Sequence, residues 1–529
     1  MVLFKENNFR KEFIRICLIA FIAYFFMFCH TIWGNHDWEF LKKGVELKDG
    51  LFEARYSQHL FSVLLFDGEI LPFFCLGIAL LNLILTGITA AKYFGVAHKP
   101  YALTVMSLFV VLNPFVFVSL YYMYLSIPLT FWHLLTVGLL FLAEMKITWK
   151  TIVIGGIGYG ILLGGYPPLV ALSLTLFCAK RVIEIRFHDE SFKDGRNKTI
   201  SLCGQWGIGY LLFKCIVSIL VQYKFVWVGF YNLKMRSPMM MVKQLPYEIC
   251  EGFLQLFHDY IFIGGGYAVL LGIGAIGAMI YCLCGKRHFL LIFWMVALLG
   301  ASRVLYILSD STFIAGIRLE YWGRLGLALF ALSVWWKNEN VWSKNLCFLW
   351  SGLLLAVCLC VNLEMQKVHW FGFKANRAHQ TRLMEILNSQ DKFDVRKQYM
   401  GYSFGKPEFN MKYIKDAYTK ECGSEICGEL SFEWDMAGNL FWEEKKNPVI
   451  MSKVTSGNYL LLINKNNYQG TEFFDNPENM SNIRTWLYTV AHPYPHKDFV
   501  YVDDKYIIMI FNEKGFYRNR ELVIGNLDK

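Results

Sequence analysis

The sequence predicts a polytopic α-helical membrane protein with about eleven spans and a C-terminal mixed α/β domain outside the membrane. Of its 529 residues, 55% are hydrophobic and only 18% are charged, whereas soluble proteins carry about 25% charged residues. The last third of the chain is polar and contains no stretch long enough to span. About eleven stretches approach the roughly 20 apolar residues that a span requires, namely 14–32, 70–91, 101–120, 125–143, 151–166, 168–180, 200–222, 256–284, 288–308, 325–336 and 345–363.

The cations of the connecting loops predict the orientation of these spans. They are concentrated in every second loop, and cytoplasmic loops are the ones enriched in Lys and Arg. We therefore place the N-terminus in the cytoplasm, and an odd number of spans then places the tail outside. The loop after the first span and the loops near 223–255 and 309–324 also face out. The loops assigned to the cytoplasm contain Lys92 and Lys99, Lys146 and Lys150, six cations from Lys180 to Lys198, Lys286 and Arg287, and Lys337 and Lys344.

A change of composition divides the chain into a membrane body, residues 1–363, and an outer domain, residues 364–529. Within the outer domain, residues 379–390 have helical spacing, and residues 458–464 and 504–511 have the composition of strands. Cys422 and Cys427 would face an oxidising compartment there, and a local disulfide and two free thiols fit the sequence equally well.

The first outward loop, residues 33–69, concentrates polar residues between two apolar spans. Asp37 and Glu39 directly follow the first span, while Arg55, Tyr56 and His59 precede the second. A carboxylate in this position can act as a general base or hold a divalent cation such as Mg or Mn. Two solvated loop acids are the alternative. Arg55 and His59 would pair with the acids or bind a phosphate group.

Further candidate ligands lie at or near the same outer face. Arg318, Tyr321 and Arg324 recur at helical spacing, and Arg303 lies inside the preceding span. Such cations suit a lipid phosphate, although membrane-edge anchoring explains them equally well. Lys214 lies near the middle of a span, where a charge is costly and usually functional. It could neutralise a carboxylate or a phosphate within the bundle, and a lysine in a wet cavity with a structural partner is the alternative. The turn from Gly164 to Pro168, which contains Tyr166, marks a broken helix. We expect this break to help shape the cavity around Lys214.

Three broad function classes fit a membrane protein of this kind. An enzyme uses paired acids at a membrane face, whereas a transporter or flippase places its ionisable residues near the midplane on discontinuous helices. A structural or assembly protein needs no paired acids. The clustering of acids at the outer face favours the enzyme. A nucleic-acid partner is not expected, because the chain has no basic stripe or recognisable binding motif.

The sequence resembles the GT-C class of polyprenyl-phosphate-sugar-dependent glycosyltransferases, and within it the Gtr-type serotype-converting O-antigen glucosyltransferases. It departs from that pattern in three places: acid-x-acid replaces an adjacent acid pair, Ala54 replaces a glycine, and Pro167 follows the tyrosine of the turn. The resemblance covers most of residues 10–390 through short motifs, namely Asp37-Trp38-Glu39, Ala54-Arg55-Tyr56, Gly164-Gly165-Tyr166, Tyr210 with Lys214, and the Arg318–Arg324 segment.

The resemblance implies a bacterial inner-membrane enzyme whose active site and C-terminal domain face the periplasm. Its reaction would be the inverting transfer of a sugar, with glucose expected, from a polyprenyl-phosphate donor to a lipid-linked or surface glycan such as O-antigen. Asp37 and Glu39 would be the catalytic residues. A donor synthase and a flippase would be its functional partners, and no nucleotide-sugar site is implied.

Overall fold

The computed structural model describes residues 7–30, 37, 40, 44–116, 119–120, 122–225, 236–254, 256–257, 265–284, 288–308, 316–338, 340–393, 400–404, 481–482, 485–486, 489–492, 496–503 and 506–510. The chain forms two compact units. The first comprises Met1–Thr31 and Gly44–Gln366, and the second comprises Ile32–Lys43 and Lys367–Lys529. Residues 33–43 of the loop 33–69, which we had assigned to the membrane body, therefore group with the second unit. Cys422, Cys427 and the expected strand at 458–464 lie outside the described residues.

The first unit is built from helices. In chain order they are α1 (Asn7–Cys29), α2 (Leu60–Phe66), α3 (Pro72–Tyr93), α4 (Ala102–Leu112), α5 (Met123–Glu144), α6 (Trp149–Gly165), α7 (Val170–His188), α8 (Phe192–Gln222), α9 (Pro238–Leu254), α10 (Gly265–Leu283), α11 (His288–Ser302), α12 (Val304–Leu308), α13 (Gly316–Lys337) and α14 (Val341–Asn388), whose last part extends into the second unit.

Six of the described helices are long and apolar enough to cross a membrane: Phe9–Cys29, Pro72–Tyr93, Met123–Glu144, Phe192–Gln222, Gly266–Leu283 and Lys344–Lys367. In a bilayer, a spanning segment must satisfy its backbone hydrogen bonds internally, and a helix does so. The chain is therefore a polytopic helical membrane protein.

Each of the eleven predicted apolar stretches overlaps a helix. One further long helix lies outside all of these stretches. This helix, α9, occupies residues that we had assigned to an outward loop at 223–255. Its buried positions are Glu248 and Gly252, while Met239 and Val242 are exposed. The segment has no apolar stretch long enough to span, and it contains Pro246, a residue that is uncommon inside helices.

One end of the helical body collects charged side chains from several helix ends, and we call it the Glu144 end. Tyr93, the last residue of α3, donates a hydrogen bond of 3.1 Å to Glu144, the last residue of α5. Lys198, near the start of α8, lies 3.1 Å from the same carboxylate. Lys337 and His188, the last residues of α13 and α7, are 2.8 Å apart. Helices α3, α5, α7 and α13 therefore end here, and α8 begins here.

The opposite end, which we call the Tyr166 end, collects the other termini. Tyr166, which follows α6, packs edge-on against Trp322 in the first turns of α13, with ring centroids 5.7 Å apart. Asn113, which follows α4, donates a 3.3 Å hydrogen bond to Tyr267 near the start of α10. Successive long helices thus run in opposite directions between the two ends.

Helices α6 and α8 pack closely because glycines remove the side chains between them. A Cβ atom at Gly209 would lie 2.9 Å from the backbone nitrogen of Gly160 and 3.0 Å from the carbonyl oxygen of Gly156. Small residues allow this backbone approach in membrane helices. The packing fixes the end of α6, where the candidate site lies.

The second unit contains a small mixed sheet among its described residues. Strands β1 (Met400–Phe404), β2 (Val500–Val502) and β3 (Tyr506–Ile510) are arranged in the order β1-β3-β2. β1 runs parallel to β3, and β2 runs antiparallel to it. Strand β3 lies within the predicted strand 504–511. The helix expected at 379–390 forms the last part of α14, because the apolar spacing of that segment continues an existing helix.

Candidate functional site

Residues 44–59 of the first outward loop approach the end of α6. A 3-10 helix, Leu47–Glu53, ends at Ala54, whose φ of 55° lies in the left-handed region. Glycine adopts this conformation without steric cost, whereas other residues do so at roughly 1–2 kcal/mol. Here the Ala54 methyl group is buried with Leu163, Phe213 and Val217, and this packing offsets part of the cost.

Three hydrogen bonds attach this loop to the last turns of α6. The Tyr56 hydroxyl donates to the carbonyl oxygen of Gly160 at 2.6 Å, and the Ser57 hydroxyl donates to that of Ile161 at 2.6 Å. The Ser57 backbone N–H donates to the carbonyl oxygen of Gly164 at 3.0 Å. Burial raises the pKa of Tyr56 to about 12, and its hydroxyl is protonated at neutral pH, as in any tyrosine.

Arg55 is positioned next to the turn that ends α6. Its guanidinium carbon lies 5.6 Å from the centroid of the Tyr166 ring, within the range of a cation–π contact. Pro167 and Pro168 follow Tyr166 and stop the helix, since proline cannot continue the backbone hydrogen-bond pattern. Because Tyr166 also touches Trp322, the loop, the turn and the start of α13 meet at the Tyr166 end.

His59 lies beside this group. It is buried, and its ring stacks on Tyr124 near the start of α5, with centroids 6.0 Å apart. His133, further along α5, packs against Trp322 with centroids 4.5 Å apart. Tyr124 of α5 and Tyr166 after α6 thus contact the loop, and Trp322 of α13 contacts Tyr166 in turn.

Helix α13 carries three of the predicted ligands. Its backbone includes Arg318 and Tyr321, whose side chains lie outside the described part of the chain. Arg324 is fully buried and lies close enough to Tyr267 of α10 to interact with it electrostatically. The structure therefore places the start of α13 at the candidate site and directs Arg324 into the helical body.

Arg303 has a carboxylate partner that the sequence did not suggest. Its Nε donates a 2.9 Å hydrogen bond to Glu248 of α9, and both side chains are buried. The guanidinium carbon also lies 3.7 Å from the centroid of the Tyr306 ring. Its predicted role in binding a phosphate remains a prediction, with Glu248 as a competing anion. Sequence reasoning missed Glu248 because we treated its segment as a loop.

Lys214 lies on the outer surface of the helical body, not in its interior as we expected. The residue is exposed, and its Nζ lies 5.7 Å from the ring centroid of Tyr210, which is also exposed. The preceding residue, Phe213, is buried and packs against Tyr56 at 6.3 Å between ring centroids. Each residue of a helix is rotated by about 100° from the one before, so Phe213 faces the loop while Lys214 faces away.

Asp37 is fully buried and belongs to the second unit. A carboxylate is almost never fully buried unless it is paired, so Asp37 is not the solvated loop acid of the alternative interpretation. Glu39 lies outside the described residues. Within the described ranges, no three His, Cys, Asp or Glu side chains are grouped to hold a metal ion, and a role for Mg or Mn stays a prediction.

No family model, curated protein or solved structure matches this chain. The resemblance to polyprenyl-phosphate-sugar-dependent glycosyltransferases therefore depends on the short motifs alone. Of those motifs, the structure brings together Arg55, Tyr56, Tyr166 and the start of α13.

A buried charge cluster at the Glu144 end was not foreseen from the sequence. Arg181 of α7 is fully buried and donates to both Glu144 and Glu190. Lys198 lies 2.7 Å from Glu190, and Tyr93 donates to Glu144. The sequence did contain a signal for this cluster, because Arg181 directly follows the apolar stretch 168–180. We nevertheless assigned Arg181 and Lys198 to a cytoplasmic loop.

Proposed function

We propose that this protein is an integral membrane glycosyltransferase that uses a polyprenyl-phosphate sugar, with glucose as the expected sugar. One observation carries the proposal: the Arg55–Tyr56 loop is hydrogen-bonded to the end of α6 and meets Tyr166 and the start of α13. Cationic and aromatic side chains are thereby collected at one end of a membrane helical body. That chemistry suits a sugar bound through a lipid-linked phosphate.

Each group has a role in the proposed reaction. Asp37 takes the proton of the acceptor hydroxyl while that oxygen attacks the anomeric carbon from the face opposite the phosphate. The bond from the anomeric carbon to the phosphate oxygen breaks, and polyprenyl phosphate leaves. Arg55, Arg318 and Arg324 stabilise the phosphate charge, with Arg303 beside them. Tyr56, His59, Tyr166 and Tyr321 bind the sugar, and Glu39 orients the acid or a metal ion.

The finer membrane topology is part of the same proposal. We propose eleven spans in a bacterial inner membrane, with the N-terminus in the cytoplasm and the C-terminal α/β domain in the periplasm. The alternating direction of the helices supports this topology. The cations of the Glu144 end agree with the positive-inside rule. A reporter fused after Lys529 should be active only in the periplasm, and activity only in the cytoplasm would contradict this orientation.

Transfer in detergent solution tests the catalytic proposal. Purified protein, undecaprenyl-phosphate glucose and lipopolysaccharide should yield glucosylated acceptor and free undecaprenyl phosphate. A flippase or other transporter would give no product, since detergent removes the two compartments that transport requires. In cells, deletion of the gene should abolish one surface-glycan modification and cause the donor lipid to accumulate. Absence of transfer with a range of polyprenyl-phosphate sugars would reject the proposal.

A further inference from the structure

The Glu144 end carries a second group of cations next to the buried cluster around Arg181, with Lys180 lying 5.5 Å from the ring centroid of Tyr93 in that cluster. Arg186 and Lys337 lie over the same aromatic ring, that of Phe187, at 5.7 Å and 5.8 Å from its centroid. Arg186 also lies 4.8 Å from the ring centroid of Tyr281 in α10. Two positive charges from α7 and α13 are therefore held at one aromatic side chain.

Lys180 also belongs to this group. The three cations, Lys180, Arg186 and Lys337, therefore outnumber the carboxylate beside them, Glu184. Lys180 pairs with Glu184 at 2.6 Å, whereas Lys337 contacts the ring nitrogen of His188 at 2.8 Å. The Nε atom of Arg186 is buried and has no hydrogen-bond partner in the part of the chain that the structure describes. Lys180 and Lys337 thus share Glu184, and the buried donor of Arg186 is left unsatisfied, which is uncommon in folded proteins.

The pKa of Lys337 is consistent with an excess of positive charge in this group. Burial lowers the pKa of Lys337 to about 8; Glu184 opposes this shift, and the charges of Lys180 and Lys99 add to it. An additional anion would compensate the positive charge. An ammonium group has three donors, so contact with His188 leaves others for an anion.

The position of the group favours a lipid. Tyr281 lies near the end of the candidate span Gly266–Leu283, and the Trp336 indole donates a 3.1 Å hydrogen bond to the carbonyl oxygen of Pro100 between α3 and α4. Tyr and Trp are enriched where spans reach the membrane–water interface. Basic pockets between spans at that depth bind anionic lipid headgroups.

We propose that Arg186, Lys180 and Lys337 form a site for the phosphate of an anionic phospholipid headgroup, with Phe187 and Tyr281 as its aromatic walls. The site lies at the Glu144 end and is independent of the proposed transfer reaction. Helix C-termini also attract cations through the helix dipole. That attraction accounts for cations in the last turns but leaves the buried Nε of Arg186 without an acceptor among the described residues.

Native mass spectrometry of the purified full chain tests this site. Wild-type protein should retain phosphatidylglycerol in preference to phosphatidylcholine. Arg186→Gln and Lys337→Gln should each weaken retention by about fivefold, the effect of one cation near an anionic surface. Arg186→Lys should retain most of the binding because it keeps the charge. The matched control is Lys193→Gln, which removes an exposed cation near the start of α8 and should leave retention unchanged.

The outcomes separate the possible occupants. Equal retention in wild type, Arg186→Gln, Lys337→Gln and the control would overturn the proposal. Displacement of phosphatidylglycerol by millimolar inorganic phosphate would identify a soluble phosphate site and reject the lipid. Gel filtration of each variant checks that a loss of lipid does not come from unfolding.

Discussion

The aromatic ring of Tyr56 occupies the space that a side chain at Gly164 would need. A Cβ atom added at Gly164 would lie 2.3 Å from Cζ of Tyr56. The hydroxyl of the same tyrosine is fixed by its hydrogen bond to Gly160, so the ring cannot move without breaking that bond. The close approach therefore links the loop to the turn that carries Tyr166.

We predict that Gly164→Ala displaces the loop and lowers both stability and sugar transfer. Overpacking of this kind typically costs about 1–3 kcal/mol, which thermal unfolding in detergent can measure. The control is Gly138→Ala in α5, where nothing lies within 4 Å of the added methyl group and the melting temperature should hold or rise slightly. Equal melting temperatures and equal activity for the two variants would contradict the packing argument.

We predict that Arg181→Gln strongly destabilises the protein. It leaves Glu144 and Glu190 with Lys198 as their remaining cation in the cluster. Breaking a buried ion pair by removal of one partner typically costs about 3–5 kcal/mol. Arg196→Gln removes an exposed arginine from the same part of α8 and should be almost neutral. If the two variants unfold at the same temperature, the cluster contributes little to stability.

We predict that Lys337 makes the free energy of unfolding rise with pH above about pH 8. Its pKa is about 8 in the folded protein, against an ordinary value of 10.5. Between these values the unfolded chain binds more protons than the folded one, so the free energy of unfolding rises with pH. Below about pH 8 both states are protonated and the effect is constant. The wild-type melting temperature should therefore rise relative to that of Lys337→Met between about pH 8 and pH 10.5, and parallel curves would contradict the assignment.

Asp37 is the proposed general base, and Asp37→Asn should lower sugar transfer by about 10²–10⁴-fold. The amide keeps the shape of the side chain and removes the base, and gel filtration of Asp37→Asn checks that the buried substitution leaves the protein folded. Glu39→Gln is expected to be the milder change. Loss of transfer only in Glu39→Gln would reverse the two roles, while normal transfer in both would exclude this loop from catalysis.

The sequence by itself determined the helical membrane class and the positions of most helices. An apolar stretch in a bilayer can satisfy its backbone groups only within itself or within a closed barrel, so composition and length are sufficient. It also predicted that Arg55, Tyr56 and Tyr166 belong to one region. Their motifs lie at the ends of apolar stretches, and alternating spans return such ends to the same face.

Only the tertiary structure decided which side chains meet. It placed Phe213 against Tyr56 and turned Lys214 outward. It also paired Arg303 with Glu248 and buried Arg181 between two carboxylates. Each of these contacts depends on the rotation of one helix about its axis and on its distance from another helix. Those quantities are set by packing between segments far apart in the chain, and local composition carries little information about them.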